Sequence, residues 1–348
     1  MIKILPLLLV CLVACAAPEA SEVPEEAPPE APSTVDAFEL ADPAEVAAYL
    51  EPMLAGDPAV PIEGDAGWLF LPAELRHLAA GEYWGDAAQE ASRAPRADER
   101  DPLPAILDFH RQLEAKGIRL LLVPVPTKAA VYADRLPGDP PAGRLDAADR
   151  RFIEVLRDEG VEVVDLAPVF AAAQSDALYC RQDTHYAPQG IALASAAILA
   201  ALDTPDWLAA EGTTYELRDE TLTIEGDLWL MLPEPRPAQE ELTFTQVVDV
   251  GPIDPESPVL VLGDSHALVF HVGGDLHAEG GGLADRLAAE LGFPVDLIGV
   301  RGSGATPARV SLLRRGDALD DKKVVIWVFA AREFTQSQGW AKVPISRD

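Results

Sequence analysis

Pro258-Val259-Leu260-Val261-Leu262-Gly263-Asp264-Ser265-His266 is the stretch on which the fold turns. Five apolar positions in a row leave no side of a strand for water, so this strand is expected to be buried on both faces. It then stops at a glycine and gives way to polar side chains. Working outward, 118–125 (IRLLLVPV) and 323–330 (KVVIWVFA) have the same continuous apolar character, and 161–166 (VEVVDL) and 294–300 (PVDLIGV) read as further strands. Between them, 104–116, 143–159, 188–202, 283–291 and 305–315 have the three-to-four-residue spacing of helices. Gly117 and Gly160 end two of these, and Pro188 opens a third. Strand and helix alternating in this way predict an α/β fold, a mostly parallel sheet with helices on both faces. The segment 204–256, rich in Thr, Pro and Glu, breaks the alternation and is expected to be a β-rich insertion.

The chain has 348 residues, of which 49% are hydrophobic, enough for a large core. It carries 58 Asp and Glu against 27 Lys and Arg, a formal net charge of -31. Nucleic-acid binding is excluded, because it needs clustered cations to displace counterions from phosphate. Charge-driven docking on anionic lipid is excluded for the same reason. Three cysteines give no disulfide framework. The sequence contains no Asn, which rules out any catalytic role that needs an Asn side chain.

The first residues read as an address. Lys3 precedes an apolar stretch from Ile4 to Val13, then Ala14 and Cys15. Leu12-Val13-Ala14-Cys15 resembles a bacterial lipobox, which implies that 1–14 is a lipoprotein signal peptide and that Cys15 is lipidated. Ala16, where Asp would retain such a protein at the inner membrane, favours the outer membrane. Residues 16–51 carry ten acids and no Lys or Arg, with five prolines between Pro18 and Pro32. Such a stretch is expected to form an acidic, Pro-rich tether, assigned to 15–55, with the folded domain at 56–348.

Two segments carry the chemistry. Ligands of a parallel sheet bind beyond the carboxyl ends of its strands, so Ser265, after its Gly-initiated turn, presents a hydroxyl where a substrate arrives. In Arg181-Gln182-Asp183-Thr184-His185-Tyr186, Asp183 and His185 are two apart and share a side if the stretch is extended. Asp183 then orients His185, and His185 takes the proton of Ser265. Three supporting blocks surround these: Gly67-Trp68-Leu69-Phe70 with Glu74, the run Val123-Pro124-Val125-Pro126-Thr127-Lys128 followed by Val131-Tyr132, and Trp327-Val328-Phe329-Ala330-Ala331-Arg332.

Taken together, and in this order, these blocks resemble the SGNH-hydrolase-like domain of bacterial alginate O-acetyltransferases of the AlgJ and AlgX type. The resemblance covers roughly residues 60–335. It implies an SGNH-hydrolase-like fold and a Ser-His-Asp triad of Ser265 as nucleophile, His185 as general base and acid, and Asp183 as orienting carboxylate. It implies transfer of acetyl groups, through an acetyl-serine, to an exported polysaccharide in the periplasm. It also implies a membrane-embedded acyltransferase partner that supplies the acetyl group. Tyr186 stands where the family usually has Trp. With no Asn available, the oxyanion is expected to be held by the Ser265 N–H with backbone around Gly302 and Ser303, or by Arg301 or Arg332. Arg181, Arg301, Arg332 and Lys128 are the cations near predicted strand ends that suit an acidic sugar, with Tyr186 beside them.

The same residues would serve a carbohydrate acetyl-esterase that gives the acetyl to water, and a glycan-binding lipoprotein on a retired hydrolase fold is the non-enzymatic alternative. No cofactor is expected. His266, His271 and His277 with Asp264 and Asp275 match no standard zinc spacing, so no metal is expected. Gly302-x-Gly304 reads as a tight turn. Cys180 reads as a small buried hydrophobe. Gly273-Gly274 and Gly280-Gly281-Gly282 mark a loop close after Ser265, either a lid or a plain excursion.

Overall fold

Strands with no polar face can be stabilised only between two apolar layers, and the arrangement found is of that kind. The structure, a computed structural model, describes residues 39–203, 207, 212–316 and 319–346. The signal segment 1–14, Cys15 and the tether as far as residue 38 lie outside the described residues. In chain order the strands are β1 (Ile62–Glu63), β2 (Leu69–Phe70), β3 (Arg119–Val125), β4 (Glu162–Val163), β5 (Glu216–Ile224), β6 (Glu240–Val248), β7 (Val259–Gly263), β8 (Asp296–Gly299) and β9 (Val324–Ala330). Five of them form the central sheet in the order β4-β3-β9-β7-β8, with every pairing parallel.

Side-chain alternation divides each central strand between two cores. Leu121, Val123 and Val125 of β3, Val259 and Val261 of β7, and Ile326 and Val328 of β9 face one. That core is closed by Val46 and Leu50, Leu75 and Leu78, Phe170, Ile191 and Ile198, and Leu283 and Leu287. Leu120 and Leu122, Leu260 and Leu262, and Trp327 and Phe329 face the other, closed by Ile106, Phe109 and Leu113, Phe152 and Leu156, and Leu312. Helices therefore cover both faces. The described residues, from 39 onward, belong to one compact unit.

Three boundaries differ from the sequence reading. The tether does not run to residue 55, because Pro43–Leu54 is a helix. Asp42 caps it, accepting from Ala44 N at 2.8 Å, and Pro43 occupies the first turn, where its missing N–H costs nothing. Val46 and Leu50, one turn apart, enter the core. The strand expected over 161–166 shrinks to β4, since Asp165 is taken as the N-cap of the helix Leu166–Ala173, accepting from Ala167 N. The helix expected from 143 starts at Ala147. Gly143 has φ +89°, and Arg144 bridges to Leu40 instead. The stretch 204–256 contains a two-stranded antiparallel hairpin of β5 and β6, joined through the short helix Asp227–Met231.

Candidate active site

β7 ends at Gly263 because nothing larger fits. A Cβ there would lie 2.2 Å from the Val328 carbonyl oxygen of β9. Asp264 then caps a single turn, Ser265–Ala267. One of its oxygens accepts from His266 N at 2.8 Å and the other from Ala330 N at 2.8 Å. Burial works against the charge of Asp264, but His266 and Arg332 outweigh it and hold the carboxyl down at about 2. Ser265 thus starts a helical turn fastened to two strand ends. It is 9% exposed.

The opposing wall is the loop Leu178–Ala187. It is not the extended stretch that the two-residue spacing suggested. Tyr179 and Tyr186 form an antiparallel bridge, Cys180 N donates to His185 O, and the residues between make turns. Asp183 reaches His185 by a local turn bond: its Oδ1 accepts from the His185 backbone N at 2.9 Å and lies 2.6 Å from His185 Nδ1. His185 Nε2 lies 2.7 Å from Ser265 Oγ. The Ser265 hydroxyl, the His185 imidazole 80 residues before it and the Asp183 carboxylate two further back form one hydrogen-bonded line.

Burial opposes charge on His185, but Asp183 more than offsets this, and the imidazole pKa lies above its ordinary value. Asp183 is held well below the usual carboxylate range: burial again opposes, and His185 and His277 overcome it. The ground state is therefore an ionised carboxylate beside an imidazole ready to accept a proton.

Three groups that the sequence did not single out, Gly226, Asp227 and Glu240, hold this loop, with His277, weighed there only as a metal ligand, beside them. Asp227 accepts from Thr184 N at 2.7 Å and Thr184 Oγ1 at 2.5 Å, while its own N–H donates to Asp183 Oδ2 at 2.8 Å. Gly226 precedes it, and a Cβ there would lie 2.1 Å from Gln182 O. Glu240 Oε2 accepts from Gln182 N at 3.2 Å. His277 Nε2 lies 3.3 Å from Asp183 Oδ2. Through Gly226, Asp227 and Glu240 the insertion clamps the Leu178–Ala187 loop from outside, and the Gly-Asp pair at the start of its short helix was the available sequence signal.

The structure moves two expected substrate contacts to other duties. Lys128 is wholly buried over the rings of Trp68 and Phe70, with its ammonium 5.6 and 5.5 Å from their centroids. Its Nζ donates to the carbonyls of Cys180 (3.0 Å), Arg181 (3.1 Å) and Asp183 (2.8 Å). It secures the loop from inside and reaches no ligand. Tyr186 is also fully buried, and its hydroxyl donates to His266 O at 2.7 Å.

The other cations and the late loop differ among themselves. Arg301 is exposed and paired with Asp275. Gly302 has φ +94°, and Ser303 Oγ donates to Glu333. Gly304 packs so closely beneath the Ser265–Ala267 turn that a Cβ would lie 3.0 Å from Asp264 N. Arg332, at the end of β9, lies 3.6 Å from Glu74, and its Nη1 is buried with no hydrogen-bond partner among the described residues. Burial opposes its charge, and Glu74, Asp264 and Glu333 restore it.

Two further groupings are accounted for. Asp183, His185 and Asp227 bring one ligand atom each within 4.8 Å of one another, but every one of those atoms is engaged in the hydrogen bonds above. A second line of similar make-up, Thr335-His77-Asp149 with Tyr83, is sealed in the core, Thr335 being 0% exposed. It ties three helices together and no substrate reaches it. Cys180 is buried and unpaired.

The model of the SGNH hydrolase-like domain of the acetyltransferase AlgX matches residues 62–331. The chain belongs to this family. It is 24% identical over 292 residues to the probable alginate O-acetylase AlgJ of Pseudomonas aeruginosa, covering 80% of this chain and 71% of that one. It is 29% identical over 180 residues to the AlgJ of Pseudomonas syringae, covering 51% and 42%. Among solved structures, the O-acetyltransferase domain of Pseudomonas putida AlgJ superposes with a TM-score of 0.59 at 24% identity, over 79% of this chain and 92% of that one. Pseudomonas aeruginosa AlgX gives 0.55 at 18% identity, over 83% and 66%. These likenesses establish the SGNH-hydrolase-like fold.

Proposed function

We propose that this chain is an O-acetyltransferase of an exported bacterial polysaccharide, working through an acetyl-serine at Ser265. The observation that carries the reading is the unbroken line Ser265-His185-Asp183 at the carboxyl end of β7, in a member of a family named for acetyl transfer.

The steps follow from the geometry. His185 Nε2 takes the Ser265 proton as Oγ bonds to the acetyl carbonyl carbon of the donor. The tetrahedral oxyanion is held by the Ser265 N–H and by the Arg332 guanidinium, whose buried Nη1, ion-paired with Glu74, has no hydrogen-bond partner among the described residues. Collapse breaks the bond to the donor oxygen, which leaves with the proton from His185. A sugar hydroxyl then gives its proton to His185 and attacks the acetyl-serine. Collapse releases the acetylated sugar and returns the proton to Ser265. Asp183 stays ionised and holds the imidazole throughout. With Ser265 only 9% exposed, a bound acceptor excludes water from the ester.

The setting is part of the proposal. The N-terminal Leu12–Cys15 pattern supports a lipid-anchored periplasmic protein at the outer membrane, and among the described residues no helix is long and apolar enough to cross a membrane. The acetyl donor is then delivered by a membrane-embedded acyltransferase. Relatives carry alginate in their names. A surface with so many carboxylates repels a polyanion at long range, so the acceptor reading here is exported polysaccharide.

Incubation of the protein with an acetyl ester donor and a panel of oligosaccharides tests this. Acetylated sugar in the mass spectrum is the expected result. Acetate release that no sugar diverts would make the protein an esterase.

A further inference from the structure

The carboxylate of the relay has an imidazole on each side. His185 takes Oδ1, and His277 faces Oδ2 at 3.3 Å with its side chain 3% exposed. Nε2 of His277 has no well-formed hydrogen bond among the described residues, and Asp183 Oδ2 is the carboxylate oxygen it faces.

The backbone under this side chain is unusual. His277 has φ +78° and ψ −79°, a region that disfavours a residue with a Cβ and costs about 1–3 kcal/mol. Phe270, whose ring packs 5.2 Å from the His277 ring, has φ +59°. The same loop takes up positive φ at Gly273, Gly274 and Gly280 without penalty. A histidine at the strained position is therefore not the choice that turn geometry alone favours.

The loop is also no lid. Phe270 N donates to Leu276 O, Gly273 N to Ala278 O, Gly281 N to Phe270 O and Val247 N to Gly280 O, the last joining it to β6. Its tip is fixed, and what it fixes is an imidazole behind the catalytic carboxylate.

We propose that His277 is a positioning residue for acyl transfer. Its Nε2, 3.3 Å from Asp183 Oδ2, bounds the carboxylate on the side away from His185 so that Oδ1 meets His185 Nδ1, and a proton carried there draws off part of the charge that sets the basicity of His185. This rests on the relay reading above. Without His277, Oδ2 keeps only the Asp227 N–H, so Asp183 rotates more freely and presents a more concentrated charge to His185. The other charged or titratable groups around the pair are Asp227 from the insertion, Lys128 beneath the Leu178–Ala187 loop, Cys180 within it, Arg332 from the end of β9, His266 beside Ser265 and Asp275 on the His277 loop. None of them is altered by the test.

The full chain is assayed with a chromogenic acetyl ester across pH. His277→Ala is expected to lower kcat about ten- to hundredfold with KM nearly unchanged, and to move the acid limb of kcat/KM to higher pH. His277→Gln, which keeps an N–H donor, is expected to recover most of kcat and the original limb. An Ala variant with unchanged kcat and limb overturns the proposal. So does a loss of kcat with an unmoved limb and no recovery in the Gln variant, which would mark a purely structural role. Ser265→Ala in the same assay separates the two readings. If it retains full turnover, the relay reading falls and this proposal with it. If it is inactive, the His277 variants decide this proposal alone.

Discussion

Replacing Lys128 with Met tests whether one buried cation holds the catalytic loop together. Methionine keeps the volume of the stem and removes the ammonium. Three carbonyls lose their donor at once, those of Cys180, Arg181 and Asp183, at 3.0, 3.1 and 2.8 Å. Hydrogen bonds to a charged group contribute about 1.5–3 kcal/mol each. Against this gross figure stands relief from burying the ammonium, whose pKa burial pulls down. Breaking one side of a buried charged arrangement costs about 3–5 kcal/mol net. Glu74 makes the loss pH-dependent. Burial raises its pKa, and Arg332 and Lys128 hold it down, so without Lys128 it protonates more readily. The destabilisation is therefore expected to be about 3–5 kcal/mol at pH 8 and smaller at pH 5. Urea denaturation at both pH values gives the stability, and acetyl-ester turnover gives kcat, expected to fall at least tenfold as His185 and Ser265 lose register. A loss under about 1 kcal/mol with unchanged kcat would refute the assignment of Lys128 to the loop.

Other expected outcomes are as sharp. Glu333, buried near Asp264, has its pKa pushed up from 4.5 to about 7 mainly by burial, so its contribution to stability is present in acid and is lost as pH rises through that value. Glu333→Gln should thus raise stability by about 3 kcal/mol at pH 8 and scarcely at pH 4, read from paired denaturation curves; an equal effect at both pH values would contradict it. Gly263→Ala places a Cβ 2.2 Å from Val328 O and should cost at least about 2 kcal/mol along with the activity, measured by thermal melting and turnover. Because the His185 pKa is raised by Asp183, the acid limb of kcat/KM should sit above 6.5 in the native protein and move down in Asp183→Asn as kcat collapses.

Much of this was legible in the sequence where burial repeats at short range. The near-continuous apolar runs 118–125, 258–263 and 323–330, with Arg119 and Lys323 only at their starts, belong at the centre of a covered sheet, and β3, β7 and β9 occupy it. The strand-end Ser265 and the Asp-x-His pair could be read as chemistry because few other groups suit it. The spacing argument for that pair reached the right neighbours through the wrong backbone, since a turn and not a strand brings Asp183 to His185. Lys128 and Tyr186 looked like substrate contacts because a cation and a phenol near a strand end usually face water. Only the packing of Trp68 and Phe70, and the carbonyls of a distant loop, turn them inward. The helix Pro43–Leu54 was hidden by averaging: it was read together with the acidic, Pro-rich stretch before it, while Val46 and Leu50 carry its buried face. Asp227 and His277 were beyond reach because their partner, Asp183, is 44 and 94 positions away in sequence.

The central claim is that Ser265 carries the acetyl group between donor and acceptor. Its most direct measurement is the mass of the intact protein, quenched in acid soon after mixing with an acetyl ester and then digested. The account predicts one added acetyl group, mapped to the peptide containing Ser265, absent from Ser265→Ala and discharged when an acceptor oligosaccharide is added. An acetyl group found on another residue, or full turnover by Ser265→Ala, would contradict it.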